Sequence, residues 1–276
     1  MSKESYFLFR TLIIVLVVFF GATWWLHQSN LDAINNSKEL TQKKLDSIAQ
    51  QIEFELFSKM PNIVGRLSIE PSIKKMLMTS KPPTIVTSTI LSTVQKYNNT
   101  QSSYILDESG VVRASSTMDG VSLDGKNYAF RKYFKRAIKG ESSAWAAVGL
   151  RSKLRGLYFS APIFDENKII GVAVVKAGLL ELDEILQSST HPLALISRDE
   201  IVFASNQNRW LMKSLSKLTD IERLKLMDSQ KYGHYQLETL DFIFDGELAT
   251  RQQVEFKYFK SPISLLGWYL IEFHQG

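Results

Sequence analysis

The sequence of 276 residues contains no cysteine and only four histidines. Without cysteine, the chain cannot form a disulfide scaffold, a thiol nucleophile or a Cys-ligated zinc or iron–sulfur site. The histidines, His27, His191, His234 and His274, lack the spacing of metal ligands, and neither G-x-S-x-G nor H-E-x-x-H occurs. We therefore expect no catalytic residues, no metal site and no cofactor in this chain.

Hydrophobic residues make up 45% of the chain and aromatic residues 11%, which excludes intrinsic disorder over its whole length. The length allows one large domain or two small ones. The net charge is +5, but positions 126–155 hold nine cations and a single acid, Glu141. This basic segment indicates an anionic partner, which could be a small ligand, a lipid surface or nucleic acid.

The N-terminus contains an uncharged stretch, Thr11 to Leu26, that is close to the roughly 20 residues needed to span a bilayer. Trp24 and Trp25 suit a membrane interface, and they occupy the place where a signal peptide needs small residues. The sequence predicts an uncleaved transmembrane anchor at 11–27. Positive charges before it place residues 1–10 in the cytoplasm.

By the same rule, everything after the anchor lies in the periplasm of a bacterium, attached to the inner membrane by a single span. That location argues against nucleic acid as the partner. From residue 31 to Met60 there is no Gly or Pro, and apolar residues recur at helical spacing. We expect a stalk helix at 28–60, ended by Pro61. It could pack on a domain, pair with a second copy, or be an ordinary amphipathic helix.

Two hairpin-like segments, Tyr104 to Ser116 and Ala194 to Asn206, align without gaps at an offset of 90 residues. The alignment indicates a duplicated α+β unit. We expect a membrane-distal domain at 61–190 and a membrane-proximal domain at 191–276.

The fold class predicted is therefore α+β, with an N-terminal transmembrane helix, a stalk helix and two tandem domains built on antiparallel sheets. The expected elements are strands at 157–164 and 169–176, a helix at 179–187, and strands at 235–237, 242–244, 254–259 and 268–273.

The basic segment predicts a helix at 128–139, with Asn127 as N-cap and Gly140 as its end. Most of its cations share one face, typical of a solvated surface. Arg131 lies at the border of the apolar face, where its guanidinium can turn inward and offer a planar fork to a carboxylate.

Lys176 continues the apolar face of the strand at 169–176. It either extends its ammonium group off the strand end, or meets an internal acid or an anionic ligand. Arg131 and Lys176 together would match a ligand with two carboxylates. Ser152 in the loop 149–156, with Tyr158 and Ser160 on the neighbouring strand, could add hydroxyls to such a pocket.

The residues GKNYAFRKYFKRAIKG (125–140), AAVGLRSKLRGLYFSAPIF (146–164) and IIGVAVVKAGLLELDEIL (169–186) resemble a known family. They are similar to the periplasmic double-Cache (PAS-like) sensor region of the four-carbon dicarboxylate transport sensor histidine kinases. The segments at 104–116 and 202–215 fit the same pattern.

The resemblance implies that the membrane-distal unit binds succinate, fumarate or malate and that the stalk relays occupancy in two-component signal transduction. It implies a set of ligand-binding residues: Tyr128, Arg131, Tyr133, Ser152, Tyr158, Ser160 and Lys176. Leu150 and Arg151 depart from the family, which usually has small hydroxyl residues after the loop glycine.

The family also has a second membrane span and a cytoplasmic kinase, whereas this sequence stops at Gly276. We expect either the sensor part of a longer protein or a receptor without its own output. Kinase activity would require a continuation. Partners consistent with the resemblance are a carboxylate, the membrane, a second copy through the stalk, and a transporter or kinase.

An alternative is a ligand-independent double-Cache module that binds a partner membrane receptor or transporter. The two hypotheses differ at the pocket. A sensor needs Arg131 and Lys176 at one cavity without an internal acid partner, whereas a module would pair them internally.

Overall fold

The computed structural model describes the backbone of residues 3–264 and 266–275, and the side chains of residues 19–55, 57–264 and 266–275. Residues 1–45 and 46–276 form two separate units. The first unit consists of most of helix α1, which runs from Lys3 to Phe57.

Among the described residues, no helix has a stretch both long and apolar enough to cross a membrane. The anchor at 11–27 therefore stays a prediction, and the side chains of residues 11–18 lie outside the described part of the chain.

Among its described residues, the second unit contains the end of α1, six further α-helices, a 3-10 helix at Asn208–Trp210 and two sheets. The helices are α2 (Met60–Ile69), α3 (Pro71–Thr79), α4 (Ile85–Tyr97), α5 (Lys132–Ala137), α6 (Leu180–Gln187) and α7 (Asp220–Asp228). The stalk helix ends at Phe57, three residues before the predicted end, and Pro61 lies in the first turn of α2. Proline is favoured there because the amide hydrogen it lacks has no partner in a first helical turn.

The first sheet has the strand order β2-β1-β5-β4-β3, with antiparallel neighbours throughout. Its strands are β1 (Thr100–Asp107), β2 (Val112–Thr117), β3 (Ser143–Val148), β4 (Arg155–Asp165) and β5 (Lys168–Ala177). Helices α2 and α4 pack on one face, where Ser103 donates to the carbonyl of Leu91 and Phe159 contacts Phe57. The other face carries α5 and an aromatic core that includes Tyr104 and Val174.

The second sheet has the order β7-β6-β11-β10-β9-β8. Its strands are β6 (Leu193–Ile196), β7 (Val202–Ser205), β8 (Ile243–Asp245), β9 (Leu248–Arg251), β10 (Val254–Ile263) and β11 (Trp268–Gln275). Its core is built around Trp210, Phe242 and Phe273.

The structure confirms the repeat down to its irregularities. In the first hairpin Ile105 pairs with Ala114 and Leu106 with Val112, with a bulge between the two pairs. The second hairpin has the same pairs 90 residues later, Leu195 with Ala204 and Ile196 with Val202, and the same bulge. In both sheets, the first strand of the hairpin pairs on its other side with the last strand of the sheet. The remaining strands then follow in reverse chain order. The predicted α+β fold with two antiparallel sheets is confirmed.

Three local predictions are wrong: the start of one helix, its N-cap and one strand. The helix predicted at 128–139 begins only at Lys132, because Arg131 is extended and Tyr128 donates its amide to the carbonyl of Gly110. Asn127 does not cap α5, since its side chain accepts from the amide of Ala129 in a turn. Gly140, with φ +93°, follows the helix as predicted.

The strand predicted at 235–237 is irregular chain, with Leu237 in the left-handed region at φ 52°. The strands predicted at 157–164, 169–176, 254–259 and 268–273 and the helix at 179–187 are confirmed, and the one at 242–244 lies one residue later.

Candidate functional site

A cavity of about 140 Å³ opens between the first sheet, the segment before α5 and the loop at 149–154. Six of the seven predicted site residues line it: Tyr128, Arg131, Tyr133, Ser152, Tyr158 and Lys176. The alternation of the strands explains part of this set, since Tyr158 on β4 is paired with Lys176 on β5 and their side chains share a face.

Ser160 lies elsewhere. Its side chain is on the same face of β4 but deeper, where it donates to the carbonyl of Tyr133 at 3.1 Å and contacts the Ser143 hydroxyl at 3.0 Å. Ser160 does not line the cavity, and its hydrogen bond to Tyr133 connects α5 to the sheet.

Arg131 reaches the cavity because the chain bends there. Its extended backbone makes it the residue before α5, and its side chain is only 5% exposed. The guanidinium donates to the carbonyls of Gln230 at 3.3 Å and Val148 at 3.5 Å and lies over the ring of Phe130. These neutral partners hold the guanidinium in place and leave its charge uncompensated.

Lys176 is equally buried, at 4% exposure, and its Nζ donates to the Ser152 hydroxyl at 3.0 Å and the Leu154 carbonyl at 2.9 Å. Burial, together with the nearby charges of Arg131 and Arg151, lowers the pKa of Lys176 to about 7. No acid forms an ion pair with Arg131 or Lys176 within the described chain. Among the described residues, the cavity therefore has two buried basic groups without an acid partner.

Two glycines, Gly149 and Gly156, lie directly against the Lys176 side chain. A Cβ on Gly149 would lie 2.8 Å from Lys176 Nζ, and a Cβ on Gly156 would lie 2.8 Å from the Ala177 carbonyl beside the same side chain. Both distances are below those of ordinary contacts. Position 156 needs glycine because the backbone carbonyl of Ala177 cannot move aside, and a side chain at position 149 would displace the Lys176 ammonium group.

Tyrosines form the apolar wall. The rings of Tyr133 and Tyr158 stack at 5.1 Å, and the hydroxyls of Tyr133 and Tyr104 are 2.8 Å apart. Burial raises the pKa of all three hydroxyls, so they remain neutral at any physiological pH. They can offer hydrogen bonds to a ligand without adding negative charge.

Sequence reasoning missed Asp119, which lines the mouth of the cavity. It accepts two hydrogen bonds from Arg151, at 2.8 and 3.0 Å, and this contact holds the pKa of the Asp119 carboxyl well below its usual range. Arg151 is therefore paired with an acid, although its charge still contributes to the lowered pKa of Lys176. Leu150 also lines the cavity and contributes apolar surface. Residues 119 and 151 come from separate loops, so no local pattern could have paired them.

The fold matches that of a solved bacterial sensor domain. The chain superposes on the crystal structure of the sensor domain of the Vibrio cholerae histidine kinase DctB with a TM-score of 0.78 and 22% identity, covering 89% of this chain and 98% of that one. At this identity the match shows the fold.

Sequence comparison then identifies particular relatives. The C4-dicarboxylate transport sensor protein DctB of Pseudomonas aeruginosa is 26% identical over 170 residues, which are 60% of this chain and 27% of that protein. DctB of Rhizobium meliloti is 29% identical over 140 residues, 50% of this chain and 22% of the relative. No protein-family model matches the chain. The resemblance to these sensor proteins, predicted from sequence, is confirmed, and the chain spans about a quarter of their length.

Proposed function

We propose that this chain is the sensor part of a signalling protein and that its cavity binds a small dicarboxylate of the succinate, fumarate and malate class. The observation that carries the proposal is the pair of buried cations, Arg131 and Lys176, which line one cavity and lack an acid partner in the described chain. Buried charges are normally paired, because an unpaired one is costly. A ligand with two carboxylates would supply both counterions.

The size and lining of the cavity support a short diacid. The cavity volume of about 140 Å³ is well below the roughly 300–1,000 Å³ of pockets that take drug-sized ligands. Arg131 offers a planar fork and Lys176 a point charge, so each can hold one carboxylate. The tyrosine rings between them suit a short carbon chain.

Amino acids fit less well. An α-ammonium group needs an acid, and the carboxylate at the cavity mouth, Asp119, already accepts two hydrogen bonds from Arg151. The names of the two relatives, C4-dicarboxylate transport sensor proteins, agree with a diacid.

The alternative, a ligand-independent interaction module, expects internal acid partners for both cations. Within the described residues the partners of Arg131 are carbonyls, and those of Lys176 are a hydroxyl and a carbonyl. The sensor hypothesis accounts for these contacts and the module hypothesis does not.

A relay to the second sheet would begin at Arg131. Its guanidinium donates to Gln230, and the next residue, Lys231, accepts from the amide of Val148 through its carbonyl. Lys231 is bound to Asp199, in the turn of the second hairpin, at 2.6 Å. A ligand that draws the guanidinium into the cavity would weaken its contact with Gln230. Occupancy would then shift the population of states in which the two sheets are linked.

The setting of the sensor is also part of the proposal. We place the domains in the periplasm, anchored to the inner membrane by residues 11–27. The exposed side chains of Phe19, Phe20, Trp24 and Trp25 support contact with lipid. The proposed setting also includes pairing of two copies through the stalk and signal output through a kinase or transporter.

A thermal-shift screen tests the binding claim. The 276-residue chain is heated with succinate, fumarate, malate, butyrate or isoleucine. A ligand at 100 times its dissociation constant stabilises the folded state by about 2.7 kcal/mol. We expect dicarboxylates to raise the melting temperature and butyrate and isoleucine to leave it unchanged.

Two variants give the control. Arg131→Ala should abolish the shift, while Lys135→Ala, which removes an exposed cation of the adjacent helix α5, should preserve it. Equal loss in both variants, or a shift with isoleucine alone, would refute the dicarboxylate pocket.

A further inference from the structure

The second sheet carries two histidines and a glutamate on one face. Glu272 and His274 alternate with Phe273 along β11, so they share the face opposite the aromatic core. His191 lies two residues before β6, which pairs with β11 and places Leu193 opposite Glu272. The sheet thus brings together side chains that are far apart in sequence.

The three side chains are close enough to share one ion. One ligand atom from each lies within 4.8 Å of the others. The imidazole rings stack with centroids 3.9 Å apart and an interplanar angle of 27°, and His274 Nε2 is 2.9 Å from Glu272 Oε1. Ligands of a tetrahedral zinc ion are roughly 3.3 Å apart, given bonds of about 2.0–2.1 Å, so small side-chain rotations would close the site.

A second observation points to a cation. The Glu272 side chain is only 2% exposed, and its Oε2 is buried without a hydrogen-bond partner within the described chain. A buried carboxylate oxygen without a partner is costly, and a metal ion is one of the few groups that can satisfy it.

We propose that His191, Glu272 and His274 bind a divalent transition-metal ion, zinc foremost. Two imidazole nitrogens and a carboxylate oxygen are ligands that zinc prefers, and three protein ligands leave a fourth position for water. Bound metal would join the end of β11 to the segment entering β6. The site is separate from the dicarboxylate cavity and does not depend on the proposed function.

A competition titration of the full 276-residue chain with zinc sulfate and a chromophoric chelator tests the site. We expect one zinc ion per chain at micromolar affinity. His191→Ala and His274→Ala should each weaken binding at least about tenfold. His234→Ala removes an exposed histidine and serves as the matched control, with affinity unchanged. Arg131→Ala should also leave zinc binding unchanged, which separates this claim from the cavity.

A second variant and a second measurement guard against misfolding. Glu272→Gln keeps the shape of the side chain and should lose zinc affinity while retaining the circular dichroism spectrum. In NMR spectra of the wild-type chain, zinc should shift the imidazole resonances of His191 and His274 and not those of His234. Failure to bind zinc, or equal affinity in wild type and His274→Ala, would overturn the proposal.

Discussion

Replacing Lys176 with methionine should stabilise the free protein at and below about pH 7 while abolishing dicarboxylate binding. Burial and neighbouring cations lower the pKa of Lys176 from 10.5 to about 7. At about 1.4 kcal/mol per pH unit, the charged form is destabilised in the folded chain by roughly 3–5 kcal/mol. Methionine fills similar space without this cost.

Two lost hydrogen bonds offset part of this stabilisation. The Ser152 hydroxyl and the Leu154 carbonyl, which accept hydrogen bonds from Lys176 Nζ, lose that donor in the variant. Each loss costs about 1 kcal/mol, which leaves a net stabilisation of about 1–3 kcal/mol. For a domain of 150–250 residues, each kcal/mol raises the melting temperature by about 2–4 °C.

The stability that Lys176→Met gains over the wild type should decrease as the pH rises above 7. In the unfolded chain Lys176 keeps its proton up to about pH 10.5, whereas in the folded chain it loses the proton near pH 7. The unfolded state therefore binds more protons between these values, and wild-type stability rises with pH across this window. Lys176→Met lacks that rise. The difference between variant and wild type is largest below pH 7 and narrows by about 1.4 kcal/mol for each pH unit above it.

The assay is denaturation of both chains at pH 6 and pH 9, followed by tryptophan fluorescence. Lys135→Met on the exposed side of α5 is the control and should show no pH-dependent difference. A Lys176→Met chain that is less stable than wild type at both pH values, or that still binds succinate, would refute the reasoning.

Three further substitutions probe the same cavity. Gly149→Ala places a methyl group 2.8 Å from Lys176 Nζ, so carboxylate affinity measured by titration should fall at least about tenfold; unchanged affinity would contradict the tight fit. Asp119→Asn removes the charge that neutralises Arg151, so affinity should rise at low salt and fall more steeply as salt is added; identical salt dependence in wild type would count against it. Tyr133→Phe removes a hydroxyl that is 2.8 Å from its buried neighbour, costing about 1–2 kcal/mol in urea denaturation, and a smaller effect would mean that the pair contributes little.

Much of the fold could be predicted because its signals are local. The two hairpins carry the same apolar positions at an offset of 90 residues, and each folds with the same register and bulge. Strand alternation also predicted that Lys176 continues the apolar face of its strand, which requires only the period of two. The pairing of Lys176 with Tyr158 is seen only in the folded sheet.

The errors occurred where tertiary contacts override local preference. Tyr128 to Arg131 has helical periodicity, but a hydrogen bond from Tyr128 to Gly110 holds this segment against the first hairpin. The strand predicted at 235–237 has the composition of a strand, yet Leu237 has a positive φ. Neither the hydrogen bond nor the positive φ angle is indicated by the neighbouring sequence.

The sequence predicted most of the residues that line the cavity, but not the contacts between them. Six lining residues followed from sequence reasoning and family resemblance. The pairing of Asp119 with Arg151 and the reach of Arg131 to Gln230 join segments that only the folded chain brings together. The sequence did not predict the cluster of His191, Glu272 and His274 for the same reason.

The central claim is that two unpartnered cations form a carboxylate site, and calorimetric titration with succinate at pH 8 in two buffers of different ionisation enthalpy tests it most directly. Free Lys176, with a pKa of about 7, is about one-tenth protonated at this pH. A bound carboxylate should restore its charge, so we predict that binding takes up about 0.9 proton per chain. Absence of binding, or binding without proton uptake, would contradict the account.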